Sequence, residues 1–262
     1  MTWYSKTVPT KLILGDVILL ADWSVIIEAR MNSSRLPGKV LYNFGQHKAI
    51  EIMIKRLELL FPRESIIIAT TQNKSDDIFC DFLASNSVQF FRGSESDVMD
   101  RVMTAAKLKK RSHIVSLTGD CPLIDPIIID RMIHEFNLYN VDYLANFIPQ
   151  TFPDGMEVQL FTLESLGKVK KLRRSPEEQE HTGLVFRNHP ELFSIRYLKA
   201  KEPEAYPGLG LTLDESLDGV LIGEILKYFS PRIDFSCAEI LSFLQENSEL
   251  ILINKSVKRR GV

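Results

Sequence analysis

The feature that most constrains the fold is an alternation, in the first half of the chain, between short apolar runs and longer amphipathic segments. The apolar runs are rich in β-branched or aromatic residues, which is typical of strands buried on both faces of a parallel sheet. They occupy residues 24–29, 65–70, 88–91 and 113–117. Helical periodicity fills the intervals, at residues 48–60, 76–85, 97–110 and 126–139. This order predicts an α/β fold that is doubly wound around a mostly parallel sheet.

The second half of the chain is less regular, but its pattern still predicts strands and helices. Strand-like runs lie at residues 142–147, 156–161 and 192–198, and helix-like runs lie at 162–172, 175–188, 216–229 and 236–247. In the first half, Ser75 is predicted to cap the second helix, and Asp125, followed by Pro126, the fourth.

The domain organisation follows from these patterns. We expect one α/β domain over residues 25–250. Residues 1–24 form an N-terminal extension, for which we expect a strand or hairpin, and residues 251–262 form a basic, solvated tail.

Composition narrows the range of functions. The formal net charge is −2, so the chain lacks the overall basic character that favours nucleic acid. Its three cysteines are widely spaced, which is typical of a reducing compartment and forms no CxxC metal motif. The apolar stretch at residues 11–23 is interrupted by two aspartates and is too short to cross a bilayer. We therefore expect a cytoplasmic protein with no nucleic-acid partner and no membrane insertion.

The loop that follows the first predicted strand, ARMNSSRLPGKVL at residues 29–41, is rich in groups that bind anions; we call it the opening loop. Its three cations, Arg30, Arg35 and Lys39, lie among small polar residues that tolerate tight turns. In a doubly wound sheet, this loop and the TGDCPLID segment after the fourth strand lie at the same rim, where ligands bind. The opening loop therefore suits nucleotide phosphates, although a surface loop with scattered charges is an equal alternative. Its spacing excludes a Walker loop and a dinucleotide fingerprint.

Four motifs together resemble one protein family: ARMNSSRLPGKVL, RGSESDVMDR, TGDCPLIDP and PDGMEVQLF. In this order they are similar to the cytidylyltransferases of the spore-coat polysaccharide SpsF type, relatives of the CMP-sialic acid and CMP-KDO synthetases. The resemblance covers residues 25–229 and implies a nucleotide-diphospho-sugar transferase-like fold with an elaborated second half. Residues 25–140 would form the nucleotide half, and residues 141–250 the sugar and dimer half.

The resemblance also implies an activity. It implies transfer of CMP from CTP to a sugar, with Mg²⁺ as cofactor, pyrophosphate as the released product and a homodimer as the assembly. The sugar is expected to be an acidic one, used in a surface polysaccharide or a glycolipid. Two alternatives stay open: a sugar-1-phosphate nucleotidyltransferase, and a catalytically weak nucleotide-binding protein. The first would need an additional basic cluster, for which residues 170–174 are candidates.

By the same resemblance, the opening loop wraps the triphosphate. Arg30 and Lys39 are expected to neutralise it, and Asp120 is expected to bind Mg²⁺, so that these three residues are the candidate catalytic groups. Asp214 is the candidate second carboxylate of the metal site. The remaining nucleotide contacts are expected from Ala29, Asn32, Ser33, Arg35, Thr70, Arg92 and Asp97. On local sequence alone, Asp120 and Asp97 are also suited to cap the turn or helix that follows each of them.

The sugar is expected to lie on the second half of the chain, at Asp154, Gly155, Glu157 and His181. His181 is a candidate general base, although a histidine satisfied by a structural neighbour is more common.

The chain departs from the family pattern at three places. Asn32 replaces a glycine, Gln179 replaces an arginine, and Glu215 with Ser216 replaces a Thr-Pro pair. The loss of the arginine removes a cation that could orient a sugar carboxylate.

Overall fold

A central sheet of seven strands organises the protein, whose computed structural model describes residues 20–172 and 174–259. The strands of this sheet are β1 (Trp23–Glu28), β4 (Ile66–Thr71), β5 (Phe90–Gly93), β6 (His113–Thr118), β7 (Tyr143–Ala145), β8 (Gln159–Thr162) and β9 (Ile195–Tyr197). A separate two-stranded ribbon pairs β2 (Asn43–Phe44) with β3 (His47–Lys48).

Nine α-helices lie within the described part of the chain. They are α1 (Ala49–Leu57), α2 (Asp77–Ser85), α3 (Val98–Lys109), α4 (Pro126–Tyr139), α5 (Leu163–Lys170), α6 (Pro176–Glu180), α7 (Leu184–Asn188), α8 (Ser216–Phe229) and α9 (Cys237–Glu246). The predicted cap of α4 is confirmed, because the Asp125 carboxylate accepts a hydrogen bond from the N–H of Ile127 at 2.9 Å. The same carboxylate accepts from the N–H of Cys237 at 2.7 Å, which joins the start of α4 to the start of α9.

The strand order, β5-β4-β1-β6-β8-β7-β9, confirms the doubly wound fold. β1 pairs in parallel with β4 on one side and with β6 on the other, so the chain reverses its progress across the sheet at β1. β8 is antiparallel to both of its neighbours, β6 and β7. Ligands of doubly wound folds bind beyond the carboxyl ends of the strands at such a reversal. The loops that follow β1 and β6 meet at that point.

Apolar side chains cover both faces of the sheet. In β1, Val25 and Ile27 belong to one buried cluster, which also contains residues from α1, α2, α4, α8 and α9. Ile26 points to the opposite face and belongs to a second cluster with residues from α3, α5 and α7. This alternation explains why the strand is apolar at successive positions.

The sequence pattern located most elements correctly. The four strands predicted in the first half are present, with no bound shifted by more than two residues, and the helix predicted at 216–229 is α8. One predicted cap is wrong: Ser75 lies in a 3-10 turn, Lys74–Asp76, and α2 begins after Asp76. The helix predicted over 175–188 is also wrong, because the chain leaves the helical conformation at His181 and forms α6 and α7 instead.

The two ends of the chain differ from the sequence-based expectations in different ways. Residues 251–259 of the tail are not simply solvated, because Asn254 and Val257 are buried. The strand or hairpin expected in the N-terminal extension falls almost wholly outside the described residues, which start at Leu20. Among the helices of the described ranges, none has both the length and the apolar character needed to span a membrane.

Candidate active site

The opening loop folds into a compact turn after β1. The backbone N–H groups of Ser33 and Gly38 both donate to the carbonyl oxygen of Met31, at 3.0 and 2.8 Å. Gly38 has a φ of 74°, a left-handed conformation that glycine adopts readily, and it leads into a 3-10 turn at Lys39–Leu41. Asn32 is not among the described residues with positive φ, so its backbone does not need the freedom of a glycine.

Asp76 anchors the opening loop to the neighbouring strand. Its buried carboxylate accepts hydrogen bonds from the N–H of Met31 at 2.7 Å and from the N–H of Thr71 at 3.2 Å. It also accepts from the Thr71 hydroxyl. Sequence reasoning missed this role, because helical periodicity assigned Asp76 to the first turn of α2.

Lys39 lies between two carboxylates that are distant in sequence. Its Nζ donates to Asp120 Oδ2 at 2.6 Å and to Asp214 Oδ1 at 2.8 Å. Arg35 Nη2 lies 2.8 Å from Asp214 Oδ2, so each oxygen of Asp214 has a cationic partner. The side chains of Lys39 and Asp214 are 13% and 11% exposed, and this shielding makes the contacts stronger than those of surface ion pairs. These four side chains form the ionic cluster of the site.

Close backbone approaches bring the carboxylates of the ionic cluster to the opening loop. Gly119, just after β6, donates its N–H to the carbonyl oxygen of Glu28 at 2.8 Å. A Cβ atom at this glycine would lie 2.8 Å from the Cβ of Ala29, so a larger residue would push the two loops apart. On the other side, the N–H of Leu213 donates to the carbonyl oxygen of Asp120 at 2.7 Å. The segment that carries Asp214 is thereby tied to the loop after β6.

Pairing keeps Lys39 and Asp120 charged. Burial alone would raise the pKa of Asp120, but the ammonium of Lys39 lowers this pKa below its usual value. Burial alone would lower the pKa of Lys39, and the carboxylates of Asp120 and Asp214 raise it instead. At neutral pH the contact between Lys39 and Asp120 is therefore an ion pair.

A cleft of about 390 Å³ opens beside the ionic cluster. Most of the residues predicted to bind nucleotide or metal line it, together with one residue predicted on the sugar side: Ala29, Arg30, Asn32, Ser33, Arg35, Lys39, Asp120, Asp214 and His181. The reversal of the sheet at β1 explains this grouping, since it brings together loops that the sequence separates.

Glu28 also lines the cleft, and sequence reasoning did not identify it. Its Oε1 accepts hydrogen bonds from the hydroxyls of Ser116 at 3.1 Å and Thr182 at 3.0 Å. Burial raises the pKa of Glu28, and the nearby guanidinium of Arg101 opposes this effect. The sequence feature that could have identified Glu28 is a charged residue at the end of an otherwise apolar strand.

Known proteins are similar to this chain in both sequence and fold. The model of the cytidylyltransferase family matches residues 24–208. The chain belongs to the cytidylyltransferase family. The spore coat polysaccharide biosynthesis protein SpsF of Bacillus subtilis is 33% identical over 232 residues, which cover 87% of this chain and 96% of that protein.

Two solved structures extend the similarity. A cytidylyltransferase from Leptospira borgpetersenii has a TM-score of 0.82 at 32% identity, covering 91% of this chain and 99% of that one. A CMP:2-keto-3-deoxy-manno-octonic acid synthetase complexed with CTP has a TM-score of 0.59 at 15% identity, covering 79% of this chain and 99% of that one. At this lower identity the second likeness shows a common fold.

The site has two carboxylates that fit a divalent cation. Asp120 and Asp214 are close enough to share the ammonium of Lys39, and carboxylate oxygens are the ligands that Mg²⁺ prefers. Within residues 20–172 and 174–259, no group of three or more His, Cys, Asp or Glu side chains is placed to hold a metal ion. Phosphate oxygens and water would have to complete the coordination of a cation here.

Two residues predicted to contact the nucleotide lie elsewhere in the structure. Thr70 is wholly buried within β4. Arg92 donates from Nε to the carbonyl oxygen of Thr71 at 2.9 Å and from Nη2 to that of Asn73 at 2.8 Å. Its guanidinium therefore closes the turn after β4, and neither residue lines the cleft as far as the described residues show.

Asp97 is likewise outside the cleft lining given by the described residues. It caps α3 by accepting from the N–H of Asp100 at 2.9 Å, and it accepts two hydrogen bonds from Arg174, at 3.0 and 2.8 Å. Lys170 lies 2.8 Å from Asp100. Two of the cations considered for an acceptor phosphate, Lys170 and Arg174, are thus already paired with carboxylates.

The turn that carries Asp154, Gly155 and Glu157 packs against the segment that leads to Asp214, and none of the three lies in the cleft lining given by the described residues. Burial raises the pKa of Asp154 to about 6, with Arg259 opposing the shift and other carboxylates adding to it. Burial and the Asp154 carboxylate raise the pKa of Glu157 to about 8. Glu157 accepts hydrogen bonds from Gln150 at 2.8 Å and from the N–H of Gly155 at 2.6 Å.

Proposed function

We propose that this cytidylyltransferase transfers CMP from CTP to a hydroxyl group of a sugar, with release of pyrophosphate and with Mg²⁺ as cofactor. The observation that carries the proposal is the ionic cluster, in which Lys39 and Arg35 of the opening loop meet Asp120 and Asp214. Cations for a triphosphate and carboxylates for a divalent cation are the two elements that nucleotidyl transfer needs.

The opening loop would hold the triphosphate. Arg30 and Arg35 would pair with phosphate oxygens, since their planar guanidinium groups suit bidentate contacts. Asp120 and Asp214 would hold Mg²⁺, which when bound supplies positive charge to the phosphate oxygens. Lys39, now bonded to both carboxylates, would then donate to phosphate oxygens instead.

In the proposed reaction, the sugar oxygen attacks the α-phosphorus of CTP. The new phosphorus–oxygen bond forms as the bond to the bridging oxygen breaks, and pyrophosphate leaves with that electron pair. Arg30 and Lys39 stabilise the negative charge that develops. The attacking hydroxyl loses its proton in this step, and His181, which lines the same cleft, is the candidate general base that accepts it.

The sugar is proposed to be acidic and to serve a surface polysaccharide or glycolipid. This rests on the named role of the SpsF relative and on the fold shared with the synthetase of a CMP-linked keto-deoxy sugar acid. The pairing of Lys170 and Arg174 with Asp100 and Asp97 gives less support to a sugar-1-phosphate acceptor. A homodimer and a cytoplasmic location remain predictions from the sequence, and analytical ultracentrifugation would check the first.

The test is pyrophosphate release from each of the four nucleoside triphosphates, with Mg²⁺ and a panel of acidic and neutral sugars. We expect release with CTP and its loss, by at least about 100-fold, in Asp120→Ala, because a carboxylate that holds the cation is removed. Asp81→Ala, which removes an exposed aspartate from α2, is the matched control and should retain activity. CTP binding without turnover with any sugar would favour the catalytically weak binding protein.

A further inference from the structure

The last described residues of the chain contact both the opening loop and the segment that follows Asp214. We call residues 254–259 the C-terminal strap. Asn254 is buried and donates from Nδ2 to the carbonyl oxygen of Gly210 at 2.9 Å and to Asp218 Oδ1 at 2.8 Å. Arg259 Nη2 donates to the same Asp218 oxygen at 2.7 Å. The backbone carbonyl of Lys258 accepts from Arg35 Nη1 at 3.1 Å, so the strap also contacts the opening loop.

Asp218 connects the strap to the ionic cluster. Its carboxylate is wholly buried, and its second oxygen, Oδ2, accepts from the N–H of Asp214 at 3.0 Å and from the N–H of Glu215 at 2.8 Å. One oxygen of Asp218 therefore faces the strap, and the other fixes the backbone that carries Asp214.

A buried carboxylate with this role needs a cation. An unpaired buried charge is strongly destabilising. Among the described residues, Arg259 forms the ion pair with Asp218. The guanidinium of Arg259 lies against Gly210, in space that the Cβ atom of any other residue at this position would occupy. The absence of a side chain at Gly210 therefore leaves room for the orientation in which Arg259 reaches Asp218.

We infer that Arg259 is a positioning residue for the metal carboxylate. By neutralising Asp218, it keeps the N–H groups of Asp214 and Glu215 bonded and so keeps the Asp214 carboxylate directed at the ionic cluster. The expected effect on catalysis rests on the proposed function, in which Asp214 holds the divalent cation. The expected effect on the backbone at Asp214 does not depend on the proposed function.

The orientation of Arg259 favours this role over direct contact with a sugar carboxylate. Its Nη2 donates to Asp218, its Nε lies 3.8 Å from Asp154 Oδ2, and its Nη1 is buried without a hydrogen-bond partner among the described residues. Two of the three nitrogens are therefore directed at carboxylates of the protein.

The first experiment compares Arg259→Gln with Lys255→Gln, which removes an exposed cation from the same strap. Three quantities are measured: hydrogen exchange of the Asp214 and Glu215 amides without metal, the Kd for Mn²⁺ by electron paramagnetic resonance, and the steady-state constants. In Arg259→Gln we expect exchange about tenfold faster or more. We also expect a Mn²⁺ Kd raised, and a kcat lowered, by about tenfold, with little change in the KM for the sugar. Lys255→Gln should match the wild type in all three.

A double-mutant cycle with Asp218→Asn provides the second test. Asparagine at 218 can still accept from the two N–H groups but needs no cation, so the effect of Arg259→Gln on exchange and on Mn²⁺ affinity should shrink in that background. The cycle also covers the case in which Arg259→Gln alone does not fold, since the double variant then should.

Two results would overturn the inference. One is an Arg259→Gln effect that is undiminished in the Asp218→Asn background. The other is normal amide exchange and Mn²⁺ binding together with a raised KM for the sugar, which would place Arg259 on the substrate. If the wild type releases no pyrophosphate, the proposed function fails, while the exchange measurement still decides the role of Arg259.

Discussion

At the scale of single residues, Lys39 has the most consequential position. Its ammonium joins Asp120 and Asp214, which lie 81 and 175 positions away along the chain. Two carboxylates brought this close would repel each other without a shared cation. The protein without nucleotide therefore supplies its own positive charge at the place where the proposed metal would bind.

Glu157 should make the stability of the protein depend on pH. Its pKa is raised to about 8 in the folded state, chiefly by burial, against 4.5 for an ordinary glutamate. The folded state thus keeps a proton that the unfolded state releases, so this stabilisation is complete below about pH 4.5 and is lost as the pH rises through about 8. Glu157→Gln cannot titrate, so from pH 5 to pH 8 the Tm of the wild type should fall by about 5 °C more than that of the variant.

Thermal melts at a series of pH values, at constant ionic strength, measure this difference. Glu164→Gln, which changes an exposed glutamate on α5, serves as the control and should follow the wild type. Parallel melting curves for Glu157→Gln and the wild type would contradict the raised pKa of Glu157.

The sequence predicted only part of the candidate site. Residues that lie in local motifs could be predicted, whereas residues that act through long-range contacts could not. Lys39 and Asp120 lie in continuous motifs that follow strands, so pattern and resemblance find them. Asp76 and Arg259 act through contacts with residues 45 and 41 positions away, and neither belongs to a local motif. Such contacts depend on tertiary structure, which a linear pattern does not contain.

At the scale of elements, the turn after residue 152 and the segment that leads to Asp214 are packed backbone against backbone. Asp154 forms a parallel bridge with Gly210, and the N–H of Leu211 donates to the carbonyl oxygen of Asp154 at 2.6 Å. Gly155 has a φ of 106°, and a Cβ atom there would lie 2.6 Å from the backbone of Leu211 and Thr212. Only glycine fits this contact without a displacement of the backbone.

Gly155→Ala should therefore destabilise the protein. The unfavourable φ and the clash with backbone atoms should lower the free energy of unfolding by about 3 kcal/mol. Urea denaturation followed by circular dichroism measures the change. Gly208→Ala is the control, because a Cβ atom there meets nothing within 4 Å, and an equal loss of stability in both variants would contradict the packing argument.

The spacing of apolar residues predicted correctly those helices and strands whose sequence pattern depends on burial alone. α4 and α8 are long and amphipathic, and they begin where the sequence indicates. The strand predicted at 156–161 begins later, at Gln159, because Glu157 closes a hydrogen-bonded turn with Gly155. Local hydrogen bonds of this kind compete with the strand pattern and move its boundary.

At the scale of the whole molecule, Arg56 joins the first half of the chain to the segment before α9. It is wholly buried and donates to the carbonyl oxygens of Ile124, Ile233 and Phe235. Its guanidinium also lies 4.3 Å from the centre of the Phe235 ring. Burial lowers the pKa of Arg56 to about 10, so the side chain is charged at neutral pH.

Arg56→Met should weaken the whole fold and not one half of it. Three carbonyl oxygens, two of them in buried hydrogen bonds, lose a charged donor, which should lower the free energy of unfolding by about 3 kcal/mol. Calorimetry should show one transition at a lower Tm. Arg232→Met, which removes exposed ion pairs with Asp234 and Glu239, should cost less than about 1 kcal/mol. Two separate transitions in Arg56→Met would show that the halves unfold independently.

The contact between Arg35 and the carbonyl oxygen of Lys258 spans 223 positions of the chain. During translation the opening loop leaves the ribosome long before its partner residue has been synthesised. A nascent chain that ends before residue 254 already contains every strand of the central sheet, but its Arg35 and Asp218 lack their partners in the strap. The site can therefore be completed only after every strand of the central sheet has been synthesised, and a stop codon shortly before residue 254 would remove the strap's contacts with Arg35 and Asp218.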